Sequence, residues 1–149
     1  MNVNSCVTGS SQRLVPSTRI LAAFCGLVLV VLLGVAAKLE PNPAGLGTHE
    51  QLGLPPCSFR WLFGMRCPSC GMTTSWSHAM RGQFRDALSV NVGGTLLAGV
   101  AVFAAPWCLL SATCGRWVVR PPSDRILAAA ALFVAAVTLA DWAFRLTAT

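Results

Sequence analysis

The chain has 149 residues, 54% of them hydrophobic and 11% charged, with a mean hydropathy of +0.63. A soluble domain carries about 25% charged residues, so this chain has too few charges to cover a globular surface, and part of it must face lipid. The net charge of +6 comes from eleven Lys and Arg placed singly along the chain. That dispersion excludes a basic nucleic-acid patch and favours anchoring of helix ends at headgroups.

Residues 1–18 are polar, rich in Ser and Thr and without periodicity, which predicts a disordered tail ahead of a single membrane domain over 19–149. Residues 20–37, "ILAAFCGLVLVVLLGVAA", hold no charge and are bracketed by Arg19 and Lys38. At about 1.5 Å per residue, such a helix crosses a hydrocarbon core of about 30 Å with snorkelling flanks. A cleaved signal peptide is the rival reading, since Val35 and Ala37 resemble a cleavage site, but the run exceeds a usual apolar region of about 7–15 residues. Residues 39–56 are rich in Pro and Gly and predict an irregular loop.

The segment 57–82 carries the cysteine motif. Cys67-Pro68-Ser69-Cys70-Gly71 reads as a tight turn opening a helix. In that helix Met72, Trp76, Ala79 and Met80 share one face, while Ser75, His78 and Arg81 take the other. This predicts a short amphipathic helix at the membrane surface or tucked among the spans. A second span follows over 92–113, with Pro106 near its exit, and a third over 125–146, capped by Ser123 or Asp124. Gly93, Gly94 and Ala98 are small enough to let membrane helices approach closely. The expected fold is therefore all-α, with three transmembrane helices and a cysteine-bearing loop between the first two. Cationic residues divide almost evenly between the two sides. The denser set, Arg13, Arg19, Arg116, Arg120 and Arg125, favours a cytoplasmic N-terminus and a cysteine loop outside.

Three chemistries fit the cysteines. Cys57, Cys67 and Cys70 can hold zinc, because the Cys-Pro-Ser-Cys-Gly turn is similar to a zinc-ribbon knuckle. The fourth ligand is open: His78 lies eight residues beyond Cys70, about 12 Å along a helix, whereas His49 sits in the preceding loop. The pair Cys67 and Cys70 can instead be a redox couple, with Cys67 the more acidic thiol beside Arg66 at a helix N-terminus. Quinone-coupled thiol oxidases need a second cysteine pair, however, and this loop adds only Cys57. The third reading is a structural staple, a disulfide from Cys57 to one of the other two.

Cys57, Phe59, Arg60, Gly64, Cys67, Pro68, Cys70, Gly71, Thr73, Gly82 and Asn91 together resemble domain-of-unknown-function family 2752, across about residues 57–112. The resemblance implies a small bacterial membrane protein with a cysteine motif, and no particular reaction. Many members of that family carry Arg where this chain has Thr74.

Among the remaining polar residues, Asp141 stands four before Arg145, the spacing of an interfacial ion pair. Asn91 and Thr95 share a helix face suited to interhelical hydrogen bonds, and the five Trp suit the membrane interface. The sequence thus reads as a non-enzymatic scaffold or accessory protein of the bacterial inner membrane, with a structural or zinc-binding cluster at Cys57, Cys67 and Cys70. Its partners are the lipid bilayer and a membrane protein or a second copy of the chain, without nucleic acid. The alternative is a thiol-disulfide oxidoreductase using Cys67 and Cys70, with no other catalytic residue assigned.

Overall fold

A computed structural model describes residues 13–147. Residues 1–12 of the expected tail lie outside the described residues. The described residues form six α-helices and no strand: α1 (Pro16–Lys38), α2 (Ser58–Phe63), α3 (Met72–Met80), α4 (Phe84–Val90), α5 (Val92–Cys114) and α6 (Asp124–Thr147). Three of these, α1, α5 and α6, are long and apolar enough to cross a membrane. The first begins four residues before the apolar run, because Pro16 sits in its first turn, where a missing amide costs nothing.

The two best-packed spans are α1 and α5, which run antiparallel. Their contact is built from small residues: Ala22, Gly26 and Ala36 on α1 meet a helix whose buried positions include Ala98, Ala101, Ala105 and Ala112. A Cβ on Gly26 would stand 2.8 Å from the Leu109 side chain, so the backbones come close only because that atom is missing. In lipid, where apolar burial supplies no drive between helices, such close packing is what holds them together. At the far end of the pair, Arg19 donates to the Ala112 carbonyl at 2.6 Å, satisfying an orphan acceptor at the end of α5.

The third span is attached differently. No residue of α6 is buried, and it touches the bundle mainly through its C-terminal half. There Gly93 of α5 lies so close to Thr138 that an added Cβ would fall 1.9 Å from the hydroxyl. The Asp141 carboxylate accepts from the Val92 amide at 3.3 Å, at the very start of α5. Asp141 also pairs with Arg145, as the spacing predicts, and Arg145 donates to the Val90 carbonyl at the end of α4. The ion pair therefore bolts α6 to the α4–α5 joint.

The short helices fill the space above α1 and α5 on one side. The face of α3 that is buried is not the expected apolar one: Thr74, Ser75 and Ser77 are fully buried, while Met80 is exposed. Small hydroxyl residues win these positions because α3 wedges against backbone. A Cβ on Gly94 would sit 2.5 Å from Ser75 Oγ. Each hydroxyl then needs an internal partner. Ser75 donates to the Met72 carbonyl at 2.8 Å, Ser77 to that of Leu39, and Thr74 shares a 2.8 Å hydrogen bond with Thr48. Trp76 also departs from an interfacial role and packs on Leu33, Ala101 and Ala105.

Candidate metal centre

The loop from Leu39 to Pro56, expected to be irregular throughout, contains a 3-10 turn over Thr48–Leu52. Its anchor is Thr48, which is fully buried, accepts from the Asn42 amide at 3.0 Å and meets Thr74 of α3. That anchor places the next residue, His49, on the wall of a cavity of about 330 Å³, together with Glu50, Cys57, Cys67 and Cys70.

Each cysteine is positioned by a separate device. Cys57 is the residue that precedes α2, and its carbonyl accepts from the Trp61 amide. Cys67 and Cys70 stand in two consecutive turns, closed by hydrogen bonds from the Cys70 amide to the Cys67 carbonyl and from the Met72 amide to the Ser69 carbonyl. Gly71 ends that turn at φ 85°, a region that other residues resist, and a Cβ there would strike Val90 and the Gly45 carbonyl.

Asn91 holds the turn from below. Completely buried, it caps α5 by accepting from the Gly94 amide at 2.7 Å, and its amide group donates to the Pro68 and Cys70 carbonyls, both at 3.2 Å. Sequence reasoning assigned Asn91 to interhelical contact. Its hold on the cysteine turn was missed, although its place in the family-like pattern was a signal. Trp142 of α6 adds a second hold by donating to the Arg66 carbonyl at 2.6 Å.

The three sulfurs come together as expected. Sγ of Cys67 lies 3.6 Å from that of Cys57 and 3.1 Å from that of Cys70, and all three fall within 4.8 Å of one another. All are free thiols, so the staple is not formed. These separations exceed a disulfide bond of about 2.05 Å. The 3.6 and 3.1 Å separations fall short of the edge of about 3.8 Å for a tetrahedron with Zn–S of about 2.3 Å, so the sulfurs would have to part slightly to hold the ion. Soft thiolates suit zinc, so the donor set fits that ion. His78 is engaged elsewhere, with Nδ1 2.7 Å from Gln83 Oε1.

The electrostatics reverse one expectation. Cys67 is not the acidic thiol: burial, reinforced by hydrogen bonds with Cys70 and Cys57, pushes it up to about 12. Cys57 is the one held below its ordinary value, chiefly by the backbone amide of Arg60 in the first turn of α2. The Arg66 side chain lines a different cavity, beside Trp142. Three thiols this close cannot all ionise without a cation among them, which is the condition a metal ion meets.

A family model described as "Protein of unknown function (DUF2752)" matches residues 57–105, from the first cysteine of the cluster into the middle of α5. This segment therefore resembles that family, as its motif indicates. No curated protein and no solved structure matches the chain.

Proposed function

We propose that this integral membrane protein is a non-enzymatic accessory protein of the bacterial inner membrane whose Cys57, Cys67 and Cys70 bind zinc. The observation that carries this reading is the convergence of three free thiols, all within 4.8 Å of one another, on the wall of one cavity. The ion would tie α2, the Cys67–Cys70 turn and, through Asn91, the start of α5 into one unit. His49 and Glu50, which line the same cavity, are the candidates for a fourth ligand. Bound zinc would replace thiol protons, so affinity would rise with pH.

A thiol-disulfide oxidoreductase using Cys67 and Cys70 is the second reading, supported by the 3.1 Å approach of their sulfurs. Metal analysis with free-thiol counting on protein purified in detergent separates the two. Zinc near one equivalent, lost in each of Cys57→Ser, Cys67→Ser and Cys70→Ser, supports the metal centre. A metal-free protein in which a cysteine pair cycles between thiols and disulfide sinks it and promotes the oxidoreductase.

A further inference from the structure

A second cavity, of about 320 Å³, opens between the end of α2 and the C-terminal turns of α6. Three arginines line it, Arg60, Arg66 and Arg145, with Trp142 beside them and no carboxylate among the lining residues. Asp141 pairs with Arg145. Arg60 and Arg66 bring two further positive charges to the same concave surface. In water two such guanidiniums repel, and the arrangement is stable in the presence of an anion.

The walls are fixed in place. The Arg66 carbonyl is held by Trp142, Arg145 donates to Val90, and Gly64 closes α2 through the Arg60 carbonyl. The backbone that carries the arginines is therefore held at the cavity. Guanidinium forks match the oxygens of a phosphate, to which they donate two parallel hydrogen bonds.

The surroundings indicate where that phosphate comes from. Immediately beside Arg60, α2 presents Trp61, Leu62 and Phe63, which are 84%, 64% and 60% exposed. In water this patch would be a costly surface for six residues of helix. At a bilayer boundary it is an interfacial anchor, whose apolar side lies in the acyl region. Arg60 and Arg66 then stand at the depth of the lipid phosphates, and the wholly unburied α6 forms a wall along which a lipid tail can lie. We propose that this cavity binds the phosphate of an anionic lipid headgroup, a site that shares Arg60 with the wall of the cysteine cavity and includes none of the three cysteines.

The test uses the full chain in a neutral detergent, titrated with phosphatidylglycerol, phosphatidylcholine or inorganic phosphate while thermal unfolding is followed. Phosphatidylglycerol is expected to stabilise the protein saturably, and the other two to leave it unchanged. In Arg60→Gln/Arg66→Gln the half-saturating lipid concentration should rise at least about tenfold, each charge contributing as basic residues do near an anionic surface. Arg85→Gln, on the exposed side of α4, should keep the parent response. Equal stabilisation by phosphatidylcholine overturns the proposal without need of any variant, as does an unaltered response in the double variant. Saturable stabilisation by inorganic phosphate alone also overturns the lipid assignment and makes the cavity a soluble-anion site.

Discussion

At the scale of single residues, the site depends on unequal thiols and one buried amide. The thiolate is the reactive form of cysteine. Cys57, lowered by the Arg60 amide, is therefore expected to be alkylated first near neutral pH in metal-free protein, and Cys67 much later. Mass mapping of a brief iodoacetamide pulse reads the order, and faster labelling of Cys67 would contradict the electrostatics. The same difference makes stability depend on pH. Between its ordinary 9.0 and about 12, Cys67 keeps its proton when folded and loses it when unfolded. The folded state then binds more protons, so Cys67 makes metal-free protein less stable as pH rises through that window. Cys57 acts oppositely: its stabilisation is present above 9.0 and is lost as pH falls through its lowered folded value. Asn91 is the other pivot. Asn91→Ala leaves the Gly94 amide and two turn carbonyls short of a partner. The expected cost is about 1–3 kcal/mol, seen as a lower unfolding temperature in detergent together with weaker zinc retention.

Among the elements, α6 is the one whose position hangs on few contacts. It meets α5 where Gly93 faces Thr138, and the Asp141–Val92 and Trp142–Arg66 hydrogen bonds follow within one turn. A side chain at position 93 must push α6 away and strain all of them together. Gly93→Leu should therefore destabilise the protein clearly, whereas Gly34→Leu, with nothing within 4 Å of the added Cβ, should stay within about 0.5 kcal/mol of the parent. Comparing the two unfolding temperatures checks this. Similar losses in both would mean that leucine bulk alone, and not the α5–α6 contact, is responsible. The polar side of α3 obeys the same logic: serine and threonine occupy its buried face because a larger side chain would hold it off α5.

For the whole molecule, three successive spans put the cysteine loop and the C-terminal end of α6 on one face, and Arg13 with the 115–123 connector on the other. In sealed vesicles a membrane-impermeant maleimide is expected to reach Cys57 and a cysteine replacing Thr147 from the same side. Labelling from opposite sides would refute the three-span architecture. Removal of α1 by a leader peptidase would also strip Ala22, Leu33 and Ala36 from the packed interface with α5. Retention of α1 is therefore the expected outcome, and sequencing the start of the mature chain tests it.

Much of this was legible in the amino-acid order by itself. Long apolar runs between single charges specify membrane helices because lipid leaves backbone polar groups no partner except their own helix. The three spans accordingly begin and end within a few residues of the predicted positions. The spacing Cys-x-x-Cys is equally local, since a turn of fixed geometry brings its two sulfurs together. Cys57 is a different matter: it stands ten positions before Cys67, and no helical or turn period brings the two together. Tertiary structure alone decided which thiol is acidic, because burial and the direction of one amide set it. It alone turned the hydroxyl face of α3 inward, put Asn91 under the cysteine turn and gathered Arg60, Arg66 and Arg145 around one cavity. Those outcomes depend on close approach between segments distant in the chain, and periodicity along a single segment carries no record of what will pack against it.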